Sequence, residues 1–359
     1  MTNIPELADI PGAVREELTN FLDQRRDHVA EIGTPVSTAM SLLESFILDG
    51  GKRIRPIYAW AGYLAAGRGT ESPEAMLRAA SSLEFIQACA LIHDDIIDAS
   101  NTRRGKPTVH RKAEQLHREL DYLGDPEFFG TSVAILVGDF ALVYAEDMFQ
   151  DSGLSPEALQ RARDPWRGMR TEVLGGQLLD ISLEATGSES VSLSNSVNRY
   201  KTAAYTIERP LHLGAAIAGA SEELITAFRA YGHDIGIAYQ LRDDQLGVFG
   251  DPAVTGKPAG DDLREGKRTE LLALALQRAD EHDPSAAATL RKFIGRTSDP
   301  QDLLRLSQII ADSGAPAEIE RRITALTTSG LAHLRAANVD SQITKTLEHL
   351  AIQATTRQK

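Results

Sequence analysis

The stretch Leu91-Ile92-His93-Asp94-Asp95-Ile96-Ile97-Asp98-Ala99-Ser100 ends a long apolar segment with three carboxylates inside five positions. In a helix, the i,i+4 spacing of Asp94 and Asp98 puts both on one face, with Asp95 at i,i+3 from Asp98. Like charges repel, and the C-terminal end of the helix macrodipole adds further negative charge at the same place. A bound cation reverses that penalty. Oxygen-only ligands suit a hard ion such as magnesium, which takes one or two protein carboxylates and fills its shell with water and phosphate oxygens. A merely solvated acidic helix end is the bland reading, and the flanking Leu91, Ile92, Ile96 and Ile97 speak against it.

Working outward, apolar residues recur at three-to-four spacing through most of the chain, while alternating strand patterns are scarce and short. The chain reads as all-α. The spacing predicts helices over residues 12–31, 35–48, 54–66, 73–99, 132–150, 156–186, 194–208, 222–247, 269–281, 285–295, 300–313, 316–336 and 341–354. Several begin with a polar cap followed by proline, as in Ser72-Pro73-Glu74, Ser155-Pro156-Glu157, Asp283-Pro284 and Asp299-Pro300. Residues 100–110 and 249–268 break the rhythm as Gly-, Pro- and charge-rich loops, each after a helix that ends in aspartates. Loops of that length are functional or disordered. Residues 115–130 read as a polar surface excursion. No linker or repeat divides the 359 residues, so one domain over 1–359 is expected, with the motif-bearing core at about 35–270 and further helices over about 271–355.

Asp243 and Asp244 repeat the adjacent acidic pair at the end of a second apolar helix. Two such helix ends can face each other across a cavity, as helical bundles do when they build metal sites. Cations accompany both clusters. Gly50 to Pro56 reads GGKRIRP and offers Lys52 and Arg55 beside the flexible Gly51, Arg103-Arg104-Gly105 follows the first cluster, and Lys257 and Lys267 follow the second. Arginine forks grip phosphate bidentately and lysine acts as a point charge, so the constellation points to diphosphate held with magnesium.

Composition narrows the classes. A net charge of -13 opposes nucleic-acid binding, which depends on neutralising phosphates. The 42% hydrophobic and 25% charged content is that of a globular protein, and no apolar run approaches the roughly 20 residues of a spanning helix. With no targeting pattern at the N-terminus and one cysteine, Cys89, the expectation is a cytoplasmic protein without an intrachain disulfide.

These residues, in this order, resemble the trans-isoprenyl diphosphate synthases, also called polyprenyl synthetases. The likeness covers roughly residues 35–270 and rests on GGKRIRP, on DDIID followed by RRG and PTVH, on Gly176-Gln177 with Asp180, on Lys201-Thr202, and on Gln240 before Asp243-Asp244. It implies an isoprenoid-synthase bundle around a central substrate cavity, a homodimer, and three magnesium ions. It further implies condensation of isopentenyl diphosphate with dimethylallyl, geranyl or farnesyl diphosphate. By the same resemblance Asp94, Asp98 and Asp243 ligate magnesium with support from Asp95, Asp180 and Asp244. Arg103 holds the allylic diphosphate, and Lys52, Arg55, Gln87 and Arg104 hold isopentenyl diphosphate. Lys201, Thr202 and Gln240 act at the reacting carbon, and Gln177, Lys257 and Lys267 complete the substrate contacts. One departure stands out: the second motif commonly reads DDxxD, but Gly247 fills its third position, with Asp251 one turn later.

Chain length depends on what lies below the first aspartates. Cys89 and Ala90, about one turn before Asp94, are small, which leaves Ile86 or Leu83 as the floor and geranylgeranyl diphosphate as the expected product. Farnesyl or longer polyprenyl diphosphates are the alternative. A terpene cyclase would not need GGKRIRP or the paired Arg103-Arg104. A phosphohydrolase using His93-Asp94 would leave Asp98 and the second cluster unexplained, and a non-catalytic partner subunit would be expected to have lost more of the aspartates.

Overall fold

The structure, a computed structural model, describes residues 5–251 and 260–356, so the expected ligand Lys257 lies outside the described residues. The fold is all-α. Among the described residues the one strand pairing is a short hairpin, β1 (Thr102–Arg103) against β2 (Lys106–Pro107), with Thr102 opposite Pro107 and Arg103 opposite Lys106. Two compact units form, neither continuous in sequence.

The first unit comprises Met1–Trp166 and Pro210–Ser221. It contains α1 (Ile10–Asp23), α2 (Arg26–Ile32), α3 (Thr34–Leu48), α4 (Ile54–Ala65), α5 (Pro73–Ile97), the hairpin, α6 (Val109–Glu119) and α7 (Pro126–Gln150). It also takes in the start of α8 (Pro156–Thr186) and most of α10 (Arg209–Ile217). Helix α5 starts where Ser72 accepts a hydrogen bond from the Ala75 N–H, with Pro73 and Glu74 in the first turn. It is apolar nearly all round and therefore buried, packed on α4 and α7. Phe85 anchors the contact, its ring centroid 5.3 Å from Phe21 and 6.0 Å from Tyr144.

Three expectations change here. The expected first helix is two helices, because α1 ends at Asp23 and Arg25 opens α2 while its guanidinium stacks 3.4 Å from the Phe21 ring centroid. The supposed excursion over 115–130 is largely helical: α6 is so charged on one face that it reads as polar, and α7 begins at Pro126 behind its cap Asp125. Helices α5 and α7 are also long and apolar enough to cross a membrane by length and composition alone, contrary to the expectation that no such run exists. In α5 that window is 78% buried, which marks a core helix, whereas in α7 it is 39% buried.

The second unit comprises Arg167–Arg209 and Glu222–Lys359. After the remainder of α8 come α9 (Val191–Val197), a π-helical segment (Asn198–Glu208) and α11 (Glu222–Phe249). Then follow α12 (Asp261–Glu265), α13 (Glu270–His282), α14 (Pro284–Phe293), α15 (Pro300–Asp312), α16 (Ala315–Ala336) and α17 (Ser341–Thr355). Helix α11 is the spine, packed against α16 and the π-helical segment, with Leu241, Leu271, Leu290, Ile310 and Ile319 in the core. The Tyr231 hydroxyl donates to the Leu347 carbonyl at 2.8 Å, and Arg242 Nε donates to the Thr355 carbonyl at 2.9 Å, so α17 is tied down at its middle and at its C-terminal end.

Candidate active site

In the first unit the loop Gly50–Arg53 turns the chain from α3 into α4 through left-handed backbone, with φ of 105°, 108° and 50° at Gly50, Gly51 and Arg53. That turn sends Arg53 inward and leaves Lys52 exposed. Arg53 donates to Glu84 at 2.5 Å and to the Ile47 carbonyl at 2.6 Å. Arg55, also buried, donates to Gln87 on α5 at 2.6 Å. The nitrogens of Arg104 and Arg53 both lie beside Gly51. Burial lowers the Arg104 pKa; Glu84 opposes this, and Arg103, Arg53 and Arg55 push it down further. A buried guanidinium among like charges is a place where an anion such as diphosphate is favoured. Sequence reading singled out Lys52, Arg55, Gln87 and Arg104 but missed Arg53 and Glu84. Arg53 lay inside the quoted loop; Glu84 lies outside every motif and carried no signal.

The first aspartates sit at the end of α5, held by the hairpin that follows. Arg103 Nε donates to Asp95 at 2.7 Å and its NH2 donates to Asp94 at 3.2 Å. Asp95 is 1% exposed, and burial pushes its carboxyl up to about 6, against the pull of Arg103 and with help from Asp94 and Asp98. Its Oδ2 is buried without a hydrogen-bond partner. Lys106 pins the hairpin through Asp49 at 2.8 Å. His93 is engaged elsewhere, with Nε2 3.0 Å from the Ile135 carbonyl on α7 and Nδ1 3.8 Å from Cys89 Sγ. Those contacts engage both nitrogens of the half-buried ring, which speaks against the His-Asp ligand pair of a phosphohydrolase.

Of the residues expected to set chain length, Ile86 and Cys89 are buried and Ala90 is partly exposed. Cys89 shares the His93 side of α5, whereas Ala90 and Ile86 stand one and two turns below Asp94 on its own side. Burial, followed by the Asp139 charge, pushes the Cys89 thiol up to about 12, so it behaves as a small apolar group.

In the second unit the π-helical segment carries Lys201 and Thr202. Wider π turns recur at functional sites because they shift side-chain register. Gly176 on α8 admits the segment: a Cβ there would fall 2.2 Å from the Lys201 nitrogen. Lys201 Nζ thereby reaches Asp180 Oδ2 at 2.5 Å, one helical turn after Gly176-Gln177. On α11, Gln240 donates to Asp244 Oδ1 at 2.7 Å, while Asp244 Oδ2 is buried with no partner. Burial, then the charge of Asp262, holds the Asp244 carboxyl well above the usual range. Asp243 is exposed, and Lys267 lies 3.2 Å from Glu265 and 4.0 Å from Asp262. This unit also holds a cavity of about 630 Å³ lined by Arg199, His233, Glu270 and Arg322 among others, but none of the expected site residues lines it.

Each acidic cluster thus keeps a buried carboxylate oxygen that no protein group satisfies, which fits a hard cation. Among the described residues, no three His, Cys, Asp or Glu side chains gather closely enough to hold a metal unaided. That matches an ion taking a carboxylate or two and completing its shell with substrate oxygens.

A profile of the polyprenyl synthetase family matches residues 37–310, which draws on both units. A solved geranylgeranyl pyrophosphate synthase from Corynebacterium glutamicum, complexed with isoprenyl diphosphate and magnesium, is 62% identical. The alignment covers 99% of this chain and 100% of that one with a TM-score of 0.96. A geranylfarnesyl diphosphate synthase from Aeropyrum pernix is 36% identical over 75% of this chain and 78% of its own length. A (2E,6E)-farnesyl diphosphate synthase from Mycobacterium tuberculosis is 30% identical over 76% and 72% respectively.

Proposed function

This chain belongs to the polyprenyl synthetase family, and from that premise we propose that its product is geranylgeranyl diphosphate and that the residues assembled above perform the reaction. The chain is a prenyltransferase of the trans-prenyl diphosphate synthase type. The geranylgeranyl reading is supported by the 62% identity to a synthase of that name and by small residues at Cys89 and Ala90. Farnesyl and geranylfarnesyl synthases among the relatives keep neighbouring lengths as the second reading.

The observation that carries the site is Arg103 bridging Asp94 and Asp95 above a buried, unpartnered carboxylate oxygen. Asp94, Asp98 and Asp243 would hold magnesium, three ions by family analogy, with Asp95, Asp180 and Asp244 behind them. When bound, magnesium neutralises diphosphate and acts as a Lewis acid on its leaving oxygens. Arg103 and Lys201 add fixed positive charge where the allylic C–O bond breaks and negative charge gathers. Lys257 belongs to this set by the sequence pattern alone. Thr202, Gln240 and the Lys201 carbonyl direct dipoles at the allylic cation, and an apolar surround keeps water from trapping it. Lys52, Arg55, Arg104 and Gln87 hold isopentenyl diphosphate, whose double bond attacks the cation to form the new C–C bond. The proton lost from the adduct passes to the departing diphosphate, so no side-chain base is needed.

We assign the chain to the cytoplasm as a homodimer. Phe128, Leu136 and Val143 recur along one side of α7 at 74%, 59% and 55% exposure, an apolar stripe that a second copy would cover.

Incubation with isopentenyl diphosphate and dimethylallyl, geranyl or farnesyl diphosphate, with and without magnesium, tests the reading by mass spectrometry. Magnesium-dependent extension that stops at the geranylgeranyl chain is expected. A cyclic hydrocarbon with released diphosphate would instead mark a cyclase, and intact substrates a non-catalytic subunit. Cys89→Phe should shorten the product by at least one isoprene unit. An unchanged product distribution would return Cys89 to a packing role.

A further inference from the structure

We propose that the cavity of about 630 Å³ in the second unit binds an amphipathic anion, a hydrocarbon chain with one carboxylate or phosphate head, through Arg199 and Arg322. Its walls come from the end of α9, the π-helical segment, α11 and α16, with Glu270, the first residue of α13, among them. None of the residues expected to hold substrate or magnesium lines it. The volume falls within the range of about 300–1,000 Å³ usual for small-molecule sites.

Both guanidiniums are set in place by buried carboxylates. Arg322 Nη1 donates to Glu270 Oε1, and Arg199 Nη2 lies 3.6 Å from Glu208; these two glutamates are 0% and 2% exposed. Arg199 Nη1 also donates to His233 Nδ1. Burial, then the charge of Arg199, lowers the His233 pKa, which keeps that ring neutral and able to accept. The arginines are oriented but not saturated. Each remains partly exposed, and among the described residues no acceptor lies within hydrogen-bond reach of Nη2 on either one.

The charge around the cavity is in surplus. Glu208 also accepts from Arg229 Nε at 3.1 Å, and Glu318, 3.5 Å from Arg322 Nε, pairs with Arg278 and Arg321 as well. Glu208, Glu270 and Glu318 are thus shared among five arginines, in a chain whose net charge is -13. A carboxylate or phosphate head can take the remaining N–H groups in paired, charge-assisted hydrogen bonds. The rest of the lining is apolar: Ile237 and Leu241, one turn apart on α11, and Ala325 and Leu326 on α16. An inorganic anion would leave these side chains in water, and a plain hydrocarbon would leave the guanidiniums without an acceptor. A chain with an anionic head meets both.

Titration calorimetry of the whole enzyme without magnesium, using decanoate, decyl phosphate, decanol and inorganic phosphate, tests the site. Decanoate or decyl phosphate should bind at least about tenfold more tightly than decanol and than inorganic phosphate, and the tighter of the two heads identifies the anion. Ala325→Trp, a filling substitution at an exposed position, should weaken that binding about tenfold or more, while melting temperature and kcat/KM stay near native. Arg322→Gln with Glu270→Gln removes the cation together with its buried partner and strands no charge; it should weaken binding to the same degree. Decanol binding as tightly as the anions overturns the role of the guanidiniums, and inorganic phosphate binding as tightly as decyl phosphate overturns the amphipathic class. Native affinity in both variants places the anion elsewhere and overturns the site, as does an absence of binding by either anion.

Discussion

Asp94→Asn is expected to lower kcat/KM for the condensation by about 10²–10³-fold or more, with little change in thermal stability. The asymmetry follows from what the side chain does in each state. In the folded protein Asp94 accepts a hydrogen bond from Arg103, at 3.2 Å, stands next to Asp95 and shares a helix face with Asp98. Losing the charge weakens the pair with Arg103 and at the same time relieves repulsion at the C-terminal end of α5. Partly exposed ion pairs contribute up to about 1 kcal/mol, so the melting temperature should move by no more than about 2–4 °C. During reaction the same carboxylate would hold an ion whose charge meets the leaving diphosphate, and an amide cannot replace it. Steady-state kinetics with saturating magnesium, beside a melting curve, checks both halves. Activity within threefold of native would take Asp94 out of the mechanism, and a collapse in stability would make its role structural.

The parts legible in sequence were those in which local chemistry and tertiary role coincide. Ser72-Pro73-Glu74 both caps α5 and marks its start, and the aspartates at its end are poor helix design in any setting without a cation. Asp125-Pro126 carries the same signal at the head of α7, yet the charged face of α6 before it disguised the region as a loop. The π-helical segment was read as ordinary helix because i,i+5 hydrogen bonding leaves no trace in apolar spacing; it is imposed by contact with α8 and α11. Arg53 looked equivalent to Lys52 and Arg55, and only the left-handed turn at position 53 shows which of them faces inward. Gly247 was visible as a gap in the second motif, and Asp251 stood nearest in sequence. The carboxylate packed against that gap is Asp262, brought there by a turn of chain that no spacing rule reaches.

Glu84→Gln is expected to give the largest stability loss among substitutions around the cation cluster. Arg53 and Glu84 have side chains 6% and 3% exposed and meet at 2.5 Å, and Glu84 Oε1 is buried with no partner. Removing the charge leaves a guanidinium in a poorly solvated place, close to Arg104 and with Arg55 nearby. Breaking one side of a buried pair costs about 3–5 kcal/mol, and a fall in melting temperature of roughly 5–10 °C follows for a chain of this size. The same reasoning predicts how the loss can be offset. If the surplus positive charge is what holds diphosphate, inorganic pyrophosphate should stabilise Glu84→Gln by a larger increment than it does the native enzyme, since the anion supplies the charge that Glu84 provided. Differential scanning fluorimetry across a pyrophosphate series measures both increments. An equal increment in the two proteins would place the Arg53–Glu84 pair outside the diphosphate site and leave it as a structural tie between the Gly50–Pro56 loop and α5.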